Sequence, residues 1–223
     1  MKKTLLLLAL AAALFSCRKE EVYVDDGTYA AEHQDPSIAV DMGEAGKWAP
    51  MNIGARKPSE YGYFLAWGEI EPKTVYGWGT YRFGTEGSFT KYSKKDKKTL
   101  LSPGDDAATV RWGTAWRMPT VEEWNKLVDT CESVWTTVDG VKGYMLTAPN
   151  GHKLFLPVGG IWKDGGVIAP NQGTYWLSEC FPGSSSQSGL AYTGGLSELR
   201  LFRCSGGGTA RCCGLAVRAI LAE

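Results

Sequence analysis

Apolar and polar positions change period several times along the chain, and each change predicts an element. Behind Lys2 and Lys3, the residues from Thr4 to Phe15 form an apolar run. That run is shorter than the roughly 20 residues a membrane-spanning helix needs, and it has the charged and apolar regions of a secretory signal. From residue 18 to about 36 the chain is polar and shows neither period 2 nor period 3.6, so it reads as a tether. Short apolar pieces then follow on either side of the turn-like Met42–Gly46: Ile38–Val40 and Lys47–Met51 are expected to be the first strands. Tyr63–Gly68 is a further buried candidate, and Tyr76–Lys98, rich in Gly, Thr, Tyr and Lys without a period, reads as a long excursion.

The best-defined pattern lies at 120–131. Val121, Trp124, Leu127, Val128 and Cys131 recur on one helical face, and Thr120 with Glu123 three positions on forms a capping box. Glu122 and Glu123 in the first turn suit the helix dipole, so they read as capping groups and not as a catalytic pair. Val134–Val138, Val141–Thr147 and His152–Leu156, separated by turns at Asp139-Gly140 and Pro149-Asn150-Gly151, predict a three-stranded meander. Alternation over Glu198–Arg203 and Leu215–Leu221 predicts two more strands.

Composition narrows this picture. At 223 residues and 43% apolar, with 28 Gly and 9 Trp, the chain suits one domain of short strands and tight turns around a single core. Its 24 basic residues equal its 24 acidic ones, and loss of residues 1–16 would take two lysines and no acid. No basic excess exists to attract nucleic acid. Besides Cys17, the cysteines are Cys131, Cys180, Cys204, Cys212 and Cys213. Cys204 and Cys212 flank a Gly-rich loop, and a hairpin there would set them at disulfide distance; Cys213, as a strand neighbour, would point elsewhere. Cys212-Cys213 lacks the C-x-x-C spacing of a zinc site, and no metal or cofactor is expected.

The junction Leu14-Phe15-Ser16-Cys17 resembles the lipobox of bacterial lipoproteins, which implies removal of residues 1–16 and acylation of Cys17. The following Lys19-Glu20-Glu21 is similar to the surface-export signal of Bacteroidetes lipoproteins, and it also suits a plain solvated tether. The resemblance implies an outer-membrane, lipid-anchored protein facing outward, its partner the membrane through the anchor.

Four blocks in order, KWAPMNIGARKPSEYGYFLAWGEIEPK, DDAATVRWGTAWRMPTVEEWNKLVD, GTYWLSE and GLAVRAI, resemble the Fibrobacter succinogenes major paralogous domain of Bacteroidetes lipoproteins, over about Val40 to Ile220. The resemblance implies an α+β, C-type-lectin-like domain at 37–223 behind a tether at 17–36. That fold group also holds formylglycine-generating enzymes and adhesin tips, so an enzyme of that type and a pilus or tip subunit stand as alternatives to a binding module.

The residues themselves favour binding. Glu71-Pro72-Lys73 stands too early for the calcium-dependent sugar motif and places a cation where an oxygen ligand belongs, while the 173–179 block has no Asn-Asp pair. Asp105-Asp106 caps a turn or pairs with Arg111 or Arg117. His33 lies in the tether and His152 beside a turn, so no Ser/His/Asp set assembles. Gly206–Gly208 precedes a strand where a phosphate loop would open a helix. Trp162, Asp164, Asn171, Tyr175, Trp176 and Glu179 combine aromatic faces with amide and carboxylate groups and form the expected surface for a glycan or protein ligand, although several of them, Trp176 especially, also suit the core.

Overall fold

The computed structural model describes residues 32–181 and 189–222. The signal segment, Cys17 and Lys19-Glu20-Glu21 lie outside the described residues. Strands β1 (Val40–Asp41) and β2 (Lys47–Trp48) pair around the short turn at 43–45. A small hairpin of β3 (Gly84–Thr85) and β4 (Ser88–Phe89) interrupts the long loop, and β5 (Trp116–Arg117) stands between helices α1 (Ala107–Trp112) and α2 (Val121–Thr130). Then come the meander β6 (Glu132–Val138), β7 (Val141–Thr147) and β8 (Lys153–Pro157), and the hairpin β9 (Ile161–Lys163) and β10 (Gly166–Ile168). The last group is β11 (Gln172–Cys180), β12 (Leu190–Ser197), β13 (Arg200–Phe202), β14 (Gly208–Ala210) and β15 (Ile220–Leu221). All pairings between these strands are antiparallel, which makes the fold α+β with few helices and short sheets.

Both strongly patterned elements form as the sequence predicts. The Thr120 hydroxyl accepts from the Glu123 N–H at 3.2 Å while the Glu123 carboxylate accepts from the Thr120 N–H at 2.8 Å, completing the capping box. The Glu179 carboxylate accepts from the Val121 N–H at 2.5 Å and satisfies a further orphan donor of the helix. Val138 opposes Val141 across Asp139-Gly140, where both residues have positive φ (50° and 79°), the two-residue turn whose twist matches the strands.

Burial raises the carboxyl of Glu123, but its bonds to Arg117 and to Thr120 outweigh that and hold it below the ordinary glutamate value. A lowered folded value adds stability that is present above about pH 4.3, the unfolded value, and lost as pH falls through the folded one. Glu123→Gln should therefore flatten the acid limb of a melting-temperature profile below about pH 4.3 and leave its slope near neutrality unchanged. An acid limb of unchanged slope would refute this role.

Strand β11 explains how one chain packs two apolar clusters. Its side chains alternate, so Trp176 enters the cluster built on Trp67, Trp112, Trp116 and Met118, while Tyr175 and Leu177 enter the one built on Trp48, Trp124, Leu127 and Leu156. The final segment does the same, with Leu215 and Val217 on the first side and Ala216 and Ile220 on the second. That segment was predicted as a strand throughout. It is regular only at β15, and otherwise makes single bridges, Leu215 to Leu65 and Ala216 to Tyr175.

Two further expectations change. The excursion at 76–98 does not merely loop outward: Tyr76, Tyr81, Phe83 and Tyr92 are buried in the first cluster. Residues 32–36, expected as the end of the tether, are held on the domain, for the Trp116 indole donates to the Gln34 carbonyl at 3.0 Å and the Tyr63 hydroxyl to Glu32 at 2.9 Å.

Candidate ligand cleft

The six residues expected to form a binding face do not converge. Tyr175 and Trp176 are buried, the Tyr175 hydroxyl donating to the Pro157 carbonyl at 2.7 Å and the Trp176 indole to the Leu65 carbonyl at 2.6 Å. Both are core residues, a correction that follows from β11 having apolar packing on both faces. Trp162 is half-buried against Phe64, with ring centroids 5.8 Å apart. Asp164 is the first residue of the tight β9–β10 turn, with φ 51°, and its N–H donates to the Tyr76 carbonyl at 2.8 Å. Asn171 lines a separate groove with Ser197, Glu198 and Phe202, and Glu179 is the α2 cap described above.

Cys204 and Cys212 are likewise not a disulfide; all five described cysteines are free thiols. The segment between them does not close a hairpin on itself, because β13 pairs with residues 195–197 of β12 and β14 with 190–192. The two short strands thus follow one another along β12, and Cys204 packs in the second cluster while Cys212 packs in the first. Burial pushes the Cys131 and Cys204 thiols up, and that of Cys180 to about 11. These three are unreactive packing residues.

What the fold does build is a cleft of about 560 Å³ between the 100–103 segment, α1, β5 and the bulged end of β11. The regular pairing of β11 with β12 shifts register between Trp176 and Cys180. In that interval β11 bonds elsewhere: the Ser178 N–H donates to Pro119, and the Leu101 N–H to Ser178, both at 2.9 Å. A bulge of this kind re-aims a side chain that regular pairing would have committed to the ladder. Ser178 lines the cleft, and its hydroxyl, though buried, has no hydrogen-bond partner among the described residues. A buried polar group left in this state costs about 1–3 kcal/mol.

Apolar walls surround it. Leu100, Leu101, Pro103 and Met118 line the cleft, and Leu100 is 52% exposed. Asp106 stiffens the framework. Its carboxylate caps α1 by accepting from Ala108 at 2.9 Å and Thr109 at 3.1 Å, and its other oxygen accepts from Met118 at 2.9 Å. Burial pushes this carboxyl above the usual aspartate range, against the opposing pull of those three N–H groups. Of the acidic pair expected either to cap or to meet an arginine, Asp106 caps, while Asp105 accepts from Lys91 and from Tyr92. Arg117 is engaged by Glu123 through two bonds, at 2.7 and 2.5 Å.

The histidines lie apart from this chemistry. The His33 ring packs over Gly113, and His152 Nδ1 lies 2.9 Å from the Asp41 carbonyl. Among the described residues no group of three or more His, Cys, Asp or Glu side chains is placed to hold a metal ion, and no helix is long and apolar enough to cross a membrane. A larger groove of about 660 Å³ between the 43–46 turn and α2 is lined by Glu44, Lys47, Glu122 and Lys126, with no apolar walls comparable to those around Ser178. Ser178 was missed in sequence because one Ser between Leu177 and Glu179 reads as an ordinary alternation; only the bulge sets it apart. Compared with family models, with curated proteins and with solved structures, the chain matches none.

Proposed function

We propose that this chain is a lipid-anchored, outward-facing outer-membrane protein whose C-type-lectin-like domain is a non-catalytic binding module, and that it takes an apolar side chain of a protein ligand in the Ser178 cleft. The observation that carries the reading is the Ser178 hydroxyl, buried in an apolar-walled cleft and unpartnered among the described residues. Ligand sites combine apolar lining with a few polar groups that fix orientation, and an unmet hydroxyl is such a group before its ligand arrives. Two of the three aromatic residues expected to stack on a sugar, Tyr175 and Trp176, are in the core, which favours a protein ligand over a glycan. Among the described residues no base hydrogen-bonds to Ser178, so binding accounts for its environment better than nucleophilic catalysis does. The resemblance to major paralogous domains and the lipobox-like Cys17 junction support the address and the fold.

Saturation-transfer NMR with acetyl-leucinamide, acetyl-phenylalaninamide and N-acetylglucosamine as probes tests this. The two amides should show transfer and the sugar none. Leu100→Asp, at an exposed rim position, should abolish the amide signal, and Ser178→Ala should weaken it about fivefold, the value of one lost hydrogen bond of about 1 kcal/mol. Equal signals in wild type and Leu100→Asp would refute the cleft, and transfer to the sugar alone would refute the ligand class.

A further inference from the structure

We propose that Cys212 and Cys213 form a reversible vicinal dithiol–disulfide couple closed within the turn that follows β14. These neighbours do not alternate as strand residues would, because the chain turns here: the Cys213 N–H donates to the Ala210 carbonyl at 2.9 Å. Fixed backbone bonds hold the turn on both sides. Arg211 accepts from Trp67 and donates to Gly189, each at 2.9 Å, and Gly214 exchanges two bonds of 2.9 Å with Trp162. Between these anchors both side chains pack in the first apolar cluster. Both are buried, at 1% and 3% exposure, which leaves neither sulfur available to a second molecule in the folded state.

The remaining cysteines are placed elsewhere. Cys131 and Cys204 belong to the other apolar cluster, and Cys180, in the same cluster, directs its thiol to the Lys98 carbonyl. The neighbouring Cys212 thiol lowers that of Cys213, burial opposes this, and the Lys163 cation lowers it further; the same pairing pushes Cys212 up.

The co-reactant is a low-molecular-weight disulfide such as oxidised glutathione. While the turn is open during folding, one of the two cysteines, as its thiolate, attacks one of the reagent's sulfurs, the reagent's S–S bond breaks, and one glutathione thiolate leaves. The other cysteine then loses its proton, its sulfur attacks the sulfur of the first, and the second glutathione thiolate departs. Two electrons pass from the protein to the reagent, and the two leaving thiolates take up the two protons. Adjacent Cα atoms lie about 3.8 Å apart, less than the separation an ordinary disulfide favours, so the ring is strained and easily reduced. Strain of this kind places the couple among labile disulfides and not among permanent staples.

The test uses the whole chain. It is refolded in glutathione buffers stepped from reduced to oxidised, quenched in acid, alkylated, cleaved after Arg211 and Arg218, and mapped by mass spectrometry. The peptide from Cys212 to Arg218 holds only this pair of cysteines. It should be two hydrogens light and unalkylated at the oxidised end, and doubly alkylated at the reduced end. Half-oxidation should need about tenfold less oxidised glutathione than in urea, because the folded turn holds the sulfurs together. Cys180→Ser should leave this unchanged. Double alkylation across the whole series, a link to Cys180, or the same midpoint in urea would each overturn the proposal.

Discussion

Replacing Arg218 by methionine is expected to lower the unfolding free energy by about 3–5 kcal/mol, the range for removing one member of a buried polar cluster. Arg218 is fully buried with no carboxylate among its hydrogen-bond partners. Its guanidinium donates to the Asn52 side chain at 2.8 Å, the Ala49 carbonyl at 3.2 Å and the Phe155 carbonyl at 3.0 Å. Two chain segments far apart in sequence, 49–52 and that of Phe155, thus meet on one planar donor set. Burial lowers its pKa to about 10, which still leaves the group charged at neutral pH. Methionine fills much of the volume but leaves those acceptors unmet, and each unmet buried acceptor costs about 1–3 kcal/mol. Lysine should rescue little, since a single ammonium cannot reproduce the planar fork. Urea unfolding of Arg218→Met and Arg218→Lys measures this; a loss under about 1 kcal/mol in Arg218→Met would show that the three acceptors find other donors.

The sequence predicts the buried state of Arg218 only in part: an Arg in a terminal apolar stretch reads as structural, but its partners at 49–52 and 155 carry no local signal. The same division runs through the molecule. Helix α2 and the 132–157 meander are legible because their determinants are local, namely a 3.6 period with a capping box in one and a two-residue Asp-Gly turn between alternating runs in the other. The binding face was misread for a physical reason. Alternation normally separates a wet face from a dry one, yet β11 stands between two apolar clusters and buries Tyr175 and Trp176 on opposite sides. Cys204 and Cys212 illustrate the other limit. A Gly-rich loop between two cysteines suggests a hairpin, but both flanking strands pair with β12, a choice of partner set by long-range contacts. Ser178 owes its character to a bulge in the same way, and its neighbours in sequence do not disclose it.

Trp124 offers the second large effect, and a way to measure how α2 is locked to the sheet. Its indole is fully buried, stacks on Tyr175 at 5.8 Å, meets Trp48 edge-on at 6.4 Å and donates to the Phe202 carbonyl at 2.9 Å. Truncation in Trp124→Ala should cost about 3–5 kcal/mol through lost packing and the cavity left behind. On the facing strand, a Cβ placed at Gly194 would lie 2.1 Å from the indole, closer than any real contact, so Gly194→Ala must displace the ring. Overpacking of this type costs about 1–3 kcal/mol, and more where the neighbour is pinned on several sides. The two losses have one cause, since the methyl and the indole compete for the same space. In the double variant the alanine methyl at 194 enters room that the tryptophan has vacated, and the combined loss should fall short of the sum by about 1–3 kcal/mol. A double-mutant cycle in urea reads this coupling directly. Strict additivity would mean that the strand can move away from the indole at no cost, and that α2 is held by its cap and by Leu127 alone.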